Sequence, residues 1–489
     1  MQANASTETS GKQREDEMNP MLHPWTNRPH DLRARTRASC FRRTVFGLIC
    51  AALFLFRATG SEAAGSVSHA RPLPLEEAVN QAISRHPLLR GADARIEGAI
   101  GAKKEIEALQ RPRLELQAVA VDGLSGAKGS GLGIQGVVSS QLVKDHALSL
   151  NVFQRIYDSG ELGMRERSRE HRVVSRESDR AAVRQQVGLD VVGAYIDLLR
   201  QEAVKKVLGQ VIEERELFAS VAAAGFQAGL RSELEVKLAE VQVLTARSRF
   251  TEAEANLEIG WARLWSSMGE IEASDRSLLP LRQELPEPPA FEGALASALD
   301  HRPELRSARA SMSASDLEMK AVAASRKPLV RGFASGGLAN TTLSGDDIEG
   351  AVGVAVKLPI DVSHEYRARF DQARSRKDEA EAALDTRLND IVLEIRRGLV
   401  GYQNLVRQRE VVASELEHAE AAFRIAESQY QAGLVSFADR VQAETTRLEI
   451  RTRFEQVRHD QVTAWAKLWI AQGRDLEQLV KDLQDNTEE

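Results

Sequence analysis

Two short motifs have the residue types of a chemical site, but the sequence around each motif argues against a functional site there. The segment from Gly131 to Gly136 has the glycine spacing that cradles a dinucleotide, but no helix follows it to bind the pyrophosphate. Glu415 and His418 have helical spacing suited to a metal, yet no third ligand accompanies them. Nucleophile motifs and paired-carboxylate sites are not apparent. We therefore expect no catalytic residue, no cofactor, no metal and no enzyme activity.

The N-terminal part of the chain predicts a secretory signal. Five arginines between residues 33 and 43 precede an apolar run from Val45 to Phe56, and small residues follow it at 61–63. The run is shorter than the roughly 20 apolar residues that span a bilayer. We assign residues 1–63 to an N-terminal extension with a cleaved signal peptide; the alternative is an N-terminal anchor. Both cysteines, Cys40 and Cys50, lie in this segment, so no disulfide is expected after cleavage.

The composition indicates long packed helices and argues against nucleic acid as a partner. Of the 489 residues, 28% are charged and only 5% are aromatic, and the later part is dense in alanine, glutamate, arginine, leucine and glutamine. Without residues 1–63 the chain keeps 56 basic and 65 acidic residues, a net charge of -9. A protein with this acidic balance is not expected to bind a polyphosphate backbone.

The chain contains an internal repeat. Residues 75–90 align with 291–306 at an offset of 216, and the helix-closing segment Phe226 to Ser232 aligns with Tyr430 to Ser436 at an offset of 204. The second offset holds over about a hundred residues. It is twelve smaller than the first, and the twelve residues that the second copy lacks would fall between Pro328 and Pro359. The sequence therefore predicts two structural copies, of which the first has the longer insertion.

Each copy predicts the same order of elements. A helix comes first and ends before a proline, at residues 75–111 and 291–327. Apolar residues then recur at every second position, which predicts two strands joined by a glycine-rich connection. A long helix and a return helix complete each copy. The predicted ranges are repeats 72–270 and 291–480, β-hairpins 113–157 and 329–360 with connections 122–146 and 339–349, helical hairpins 160–269 and 364–473, a linker 271–290 and a C-terminal tail 481–489.

The long helices exceed the width of an ordinary domain. Their apolar residues step by three and four over some 65 positions, so each helix would be roughly 100 Å long at about 1.5 Å per residue. Gly229 and Gly433 suit the left-handed turn that ends a helix. A cytosolic coiled coil is the simplest alternative, but it predicts neither a signal peptide nor strands of period two.

Several motifs, in order along the chain, resemble the TolC family of outer-membrane efflux proteins. They are the opening Leu73-Pro-Leu-Glu-Glu-Ala78, His86-Pro-Leu-Leu-Arg90, Ala194-Tyr195 with Leu198 and Leu199, and the twice-used Phe/Tyr-Gln-Ala-Gly-Leu with a serine two residues on. The resemblance covers about residues 72–480. It implies a mainly α-helical fold with a membrane β-barrel: four strands per protomer in a trimeric twelve-stranded barrel, continued by a long periplasmic α-helical barrel.

The chain departs from the family where strand meets long helix. In place of the family's Pro-Leu-Phe-Asp-Gly-Gly-like turn it has Asp158-Ser159-Gly160 in the first copy and Asp361-Val362-Ser363 in the second. Serine and aspartate are good helix-start residues, so we expect them to keep the turn's capping role.

The resemblance also implies functional residues at the far ends of the helices. An acidic residue six positions after the tip glycine faces the pore in the family, and these positions hold Glu235 and Asp439. Three copies would give a ring of six carboxylates that favours cations; the alternative is a solvated helix face. Arg231 and Arg440, nearby in sequence, are expected to pair with these acids. The glycine-leucine turns Gly229-Leu230 and Gly433-Leu434 correspond to the family's contact with the adaptor; the alternative is ordinary helix capping.

By resemblance, the expected function is an outer-membrane channel for efflux or secretion. Its partners would be two further copies in a homotrimer, a periplasmic adaptor (membrane fusion protein) and an inner-membrane pump of RND or ABC type. It would lie in the cell outer membrane with its helical part in the periplasm. A second hypothesis is a periplasmic adaptor or scaffold protein built on helical hairpins. That class would have one helical hairpin between β-rich halves, whereas this sequence predicts two hairpins.

Overall fold

The computed structural model describes residues 72–120, 146–270, 276–282, 284–340 and 348–485. The predicted signal segment, most of both predicted strand connections and part of the predicted linker lie outside these ranges. The elements of the described ranges are α1 Leu75–Arg85, α2 Pro87–Ala108, β1 Arg113–Ala120, β2 His146–Tyr157, α3 Glu161–Gln227, α4 Glu233–Met268, α5 Phe291–His301, α6 Pro303–Ala324, β3 Leu329–Asn340, β4 Ile348–Lys357, α7 Glu365–Gln431, α8 Phe437–Ala471 and α9 Leu476–Gln484. The order helix, helix, strand, strand, long helix, return helix occurs twice.

The expectation of one unbroken first helix in each copy is wrong. The chain leaves helical geometry at His86, with φ -62° and ψ 130°, and at Arg302, with φ -67° and ψ 124°. Pro87 and Pro303 follow, and a proline pushes the preceding residue into an extended conformation while it starts a new helix well. Each first helix is therefore divided into a short and a longer piece, α1/α2 and α5/α6.

The long helices α3 and α7 each contain 67 residues, and each packs along a return helix. Four small residues among the buried ones on α4 recur every seven positions: Ala239, Ala246, Ala253 and Gly260. A seven-residue repeat keeps one seam of a helix facing its neighbour, as in a coiled coil. Small side chains on that seam let α3 and α4 approach closely.

The four strands form one antiparallel sheet in the order β1-β2-β3-β4. The hairpins of the two copies meet where β2 pairs with β3, with Val152 opposite Ala334. Alternation of period two is clear in the sheet: Leu116 and Val352 are exposed on one face, whereas Ser149 on the other is buried. The predicted alternation is confirmed, and among the described residues β1 and β4 each have one edge without a strand partner.

None of the helices in the described ranges combines the length and apolar content needed to cross a lipid bilayer.

Aspartates cap the two long helices where they leave the sheet. The Asp158 carboxylate accepts hydrogen bonds from the backbone N–H groups of Gly160 and Leu162, both at 3.0 Å. Asp361 accepts from the N–H groups of Tyr366 at 3.0 Å and Arg367 at 3.3 Å. The helix-start role expected at this turn is therefore carried by aspartate, which satisfies donors that have no partner within the helix.

Two buried tyrosines fasten the segment between the copies to the helices. The Tyr195 hydroxyl on α3 donates to the carbonyl of Leu73 at 2.8 Å and accepts from the N–H of Leu279 at 2.9 Å. The Tyr402 hydroxyl on α7 donates to the carbonyl of Pro286 at 2.7 Å. The segment thus lies across α3 and α7, and burial raises the pKa of Tyr195 well above its ordinary value.

The predicted start of the C-terminal tail, at residue 481, is wrong, because α9 continues to Gln484. Its apolar residues Leu476, Leu479, Val480 and Leu483 are all buried, in the same core as α1 and α3. The Leu483 carbonyl also accepts a hydrogen bond from the N–H of Arg282 at 2.8 Å. A nine-residue helix is marginal alone, so this packing stabilises it.

Candidate functional site

The first tip turn, between α3 and α4, is a left-handed helix cap. Gly229 has φ +72°, a conformation that costs an L-residue energy and glycine almost none. The N–H of Leu230 donates to the carbonyl of Gly225 at 2.8 Å, and the N–H of Gly229 donates to that of Phe226 at 2.9 Å. This hydrogen-bond pair defines a Schellman motif, which satisfies the last carbonyls of α3.

The second tip turn, between α7 and α8, is built in the same way. Gly433 has φ +73°. The N–H of Leu434 donates to the carbonyl of Gln429 at 2.8 Å, and the N–H of Gly433 donates to that of Tyr430 at 3.0 Å. Capping therefore accounts for both glycines.

Capping does not account for the leucines that follow. Leu230 is 79% exposed and Leu434 is 75% exposed. The apolar contact that often accompanies a Schellman motif would bury this side chain against the preceding helix, and neither leucine is buried in that way. Each helical hairpin thus ends in an exposed apolar side chain on a fixed turn.

Glu235 lies at the start of α4, beside groups from both hairpins. Its N–H donates to the hydroxyl of Ser232, the N-cap, at 3.3 Å. Its carboxylate lies 3.8 Å from the guanidinium of Arg231, as the sequence suggested. That guanidinium also lies over the ring of Tyr430 on α7, 4.1 Å from the centroid. One oxygen of Glu235 is buried without a hydrogen-bond partner, and so is the Tyr430 hydroxyl.

Asp439 lies at the start of α8 and has a capping role. It forms a capping box with Ser436, whose hydroxyl accepts from the N–H of Asp439 at 3.2 Å. Asp439 accepts in return from the hydroxyl of Ser436 at 2.6 Å and from its N–H at 3.1 Å. These hydrogen bonds favour the ionised form and hold the pKa of Asp439 below its ordinary value. In the described part of the chain no hydrogen bond or ion pair joins Asp439 to Glu235.

The expectation that Arg440 pairs with a tip acid is wrong. Its Nε donates to Glu427 of α7 at 2.5 Å, and its Nη1 donates to Glu444, one turn along α8, at 2.8 Å. Its guanidinium lies 3.7 Å from the ring centroid of Phe218 on α3. Arg440 therefore points into the protomer, where α3, α7 and α8 meet.

Sequence reasoning missed the other members of this buried charge cluster. Arg215 of α3 donates from Nε to Glu444 at 2.6 Å and from Nη1 to the carbonyl of Gln242 on α4 at 3.0 Å. The sequence gives no signal for a pair whose members lie 229 positions apart. The cluster links all four long and return helices a few turns above the tips.

The tip acids and leucines thus form two kinds of surface. Glu235 and Asp439 place carboxylates within two turns of the helix ends, where they would attract cations. Leu230 and Leu434 add apolar contact area at the ends themselves.

Comparison with known proteins identifies relatives of the same architecture. The family model described as outer membrane efflux protein matches residues 78–270 and 294–474. Nodulation protein T of Rhizobium leguminosarum bv. trifolii is 23% identical over 293 residues, which cover 57% of this chain and 60% of the relative. The solvent efflux pump outer membrane protein SrpC of Pseudomonas putida is 23% identical over 257 residues, or 50% of this chain and 53% of the relative. The chain thus spans about 60% or less of the length of these relatives.

Solved structures share the fold. The crystal structure of CusC superimposes with a TM-score of 0.71 at 16% sequence identity, covering 85% of this chain and 96% of that one. The family match includes both copies of the repeat and takes in most of the chain. The chain therefore belongs to the outer membrane efflux protein family.

Proposed function

We propose that this protein is the outer-membrane channel of an efflux or secretion system. One observation carries the proposal. This chain of the family combines a sheet that has an exposed apolar face with two helices of 67 residues. The sheet would lie in the outer membrane and the helices would extend into the periplasm. Two helical hairpins alternate with strand pairs, so the adaptor hypothesis gains no support from the fold.

The working form is a homotrimer. The described part of one protomer supplies four strands with two unpaired edges, and a barrel of about eight strands or fewer is filled by its own side chains. Three copies supply twelve strands and leave no edge unpaired. On α4, Leu234, Val241 and Leu244 are exposed on the side opposite the alanine seam that packs on α3. A neighbouring protomer would cover this apolar side.

The tip turns carry the partner contacts. Leu230 and Leu434 would dock the periplasmic adaptor, which connects the channel to an inner-membrane pump of RND or ABC type. Glu235 and Asp439, contributed by three protomers, would form the acidic constriction. The exposure of both leucines on rigid turns supports the contact, and the placement of both acids at helix starts near the tips supports the constriction.

Membrane fractionation and mass measurement test the proposal. We expect the protein in the outer-membrane fraction, with heat-modifiable migration on a gel. Light scattering of the detergent-solubilised protein should give the mass of three chains. A monomer mass would contradict the trimer, and recovery with the inner membrane or the cytosol would contradict the channel.

A further inference from the structure

A stripe of arginines follows one side of α3 just after it leaves the sheet. Arg169, Arg172 and Arg176 are spaced by three and four residues, which places them on one helix face. Arg176 lies 3.1 Å from Asp179. Within the described ranges Arg169 and Arg172 form no salt bridge, and the Nε of Arg169 is buried without a hydrogen-bond partner. The stripe thus has more positive charge than its neighbours neutralise.

Arg376 of α7 extends the stripe. It occupies the position of Arg172 in the second copy, 204 residues on. Arg172 is exposed. It interacts electrostatically with Arg169, Arg176 and Arg376, and partial desolvation together with these neighbours lowers its pKa. Glu318 of α6 is an acid that interacts with Arg172, and its carboxylate also lies 3.8 Å from the guanidinium of Arg165.

The position of α6 shows that these arginines share one surface of the layer formed by α3, α6 and α7. This helix packs between α3 and α7. Side chains on two helices that flank a third can approach each other only along one side of it. Arg172 and Arg376 therefore lie on the same side of α6. We call Arg169, Arg172, Arg176 and Arg376 the arginine belt.

The surface that holds the arginine belt lies on the opposite side of α3 and α7 from the linker. Tyr195 of α3 and Tyr402 of α7 both bond to the linker, through the N–H of Leu279 and the carbonyl of Pro286. Arg172 lies 23 residues before Tyr195, and Arg376 lies 26 residues before Tyr402. At about 3.5 residues per turn each arginine is about 150° around its helix from that tyrosine. If the layer closes into a tube with the linker outside, the belt lines the inner wall.

We propose that the arginine belt is a binding site for the oxyanion groups, phosphate or carboxylate, of solutes inside the channel. The inference rests on the proposed function, because three copies are needed to close the wall. The repeat would then place six equivalent arginines, Arg172 and Arg376 of each protomer, around one level of the tube below the sheet. Guanidinium groups bind oxyanions through charge-assisted, often bidentate, hydrogen bonds.

Block of ionic current by two defined anions tests the belt. Trimers in planar bilayers would receive sodium tripolyphosphate, or citrate in a second arm, in the compartment that faces the sheet. We expect block of the unmodified channel, and we expect Arg172→Gln with Arg376→Gln to raise the half-blocking concentration by about tenfold. The two arms show whether phosphate or carboxylate binds better.

A matched double variant removes the same charge from the other side of the layer. Arg167 and Arg374 are exposed on the same two helices, each about 150° around from its belt residue at about 3.5 residues per turn. Arg167→Gln with Arg374→Gln should change the block by less than about twofold. Two results would contradict the belt and leave the proposed function intact: an equal change of block in both double variants, or a conducting wild-type channel that neither anion blocks. A wild-type protein that forms no channel would overturn the proposed function and the belt with it.

Discussion

Arg215 of α3 and Glu444 of α8 form a buried ion pair between the two copies of the repeat. The Arg215 Nε lies 2.6 Å from Glu444 Oε1, and the side chains are only 4% and 3% exposed. Glu444 also accepts from Arg440, which bonds to Glu427 as well, so the cluster sets two carboxylates against two guanidinium groups.

Glu444→Gln should destabilise the protein strongly. The substitution keeps the shape of the side chain but leaves buried Arg215 without a carboxylate and Arg440 with Glu427 alone. Breaking a buried pair costs about 3–5 kcal/mol. The free energy of unfolding, measured by urea titration of the detergent-solubilised protein, reports this loss. Glu449→Gln, an exposed site on the same helix, is the control and should change stability by less than about 0.5 kcal/mol. Equal effects would mean that the pair contributes nothing specific.

Gly433→Ala should destabilise the second tip turn. The alanine would have to keep φ near +73°, which costs an L-residue about 1–2 kcal/mol. Gly401→Ala is the matched control, because Gly401 lies inside α7 with open space where a Cβ would project. There the substitution should stabilise by about 0.5–1 kcal/mol, since alanine favours a helix interior. Thermal unfolding followed by circular dichroism compares the two, and a stabilising Gly433→Ala would contradict the assigned cap.

Leu230→Asp with Leu434→Asp should abolish export without loss of stability. Both side chains are exposed, so a charge there leaves the protomer core untouched but opposes apolar docking. Export would be followed in cells as resistance to a transported compound, and folding as the yield of outer-membrane trimer. Leu230→Met with Leu434→Met keeps the apolar surface and should retain export. Loss of trimer in the aspartate variant would assign the leucines to folding instead.

Glu235→Gln with Asp439→Asn should weaken block by multivalent cations and reduce cation preference in single-channel recordings. Removal of like charges relieves repulsion in a ring of six carboxylates. The same change weakens the capping box of Asp439 and the ion pair of Glu235, so we expect a small net loss of stability, of about 1 kcal/mol. Glu449→Gln, away from the tip, is the control. Unaltered cation block would remove both residues from the constriction and leave the channel proposal intact.

The pH dependence of that block should report the ionisation of Asp439. The hydrogen bonds from Ser436 depress the folded-state pKa of Asp439 below its ordinary 3.8. A depressed pKa means that the capping box stabilises fully above the unfolded pKa and is lost as pH falls through the folded value. In a Glu235→Gln background, block by a multivalent cation should therefore persist down to about pH 4. Loss of block already at pH 5 to 6 would show that repulsion within the ring raises the pKa of Asp439 despite Ser436.

Patterns short enough to be local were predictable from the sequence. The offset of 204 locates both tip turns, because the same residues at the same spacing build the same Schellman motif around Gly229 and Gly433. Strands were predictable because a pleated chain presents alternate residues to opposite faces. The breaks before Pro87 and Pro303 were also visible in the sequence, since a proline restricts its predecessor, and the continuous-helix prediction overlooked that signal.

Contacts between distant segments were decided by the tertiary structure alone. The repeat places an arginine at 172 and another at 376, but only the packing of α6 between α3 and α7 brings them onto one surface. Arg440 follows a tip acid in sequence, yet the meeting of three helices turns it toward Glu427 and Glu444. Periodicity fixes which side of a helix is apolar, whereas the partner of a charged side chain depends on the axial register between helices. That register arises from packing over many turns, and no short segment encodes it.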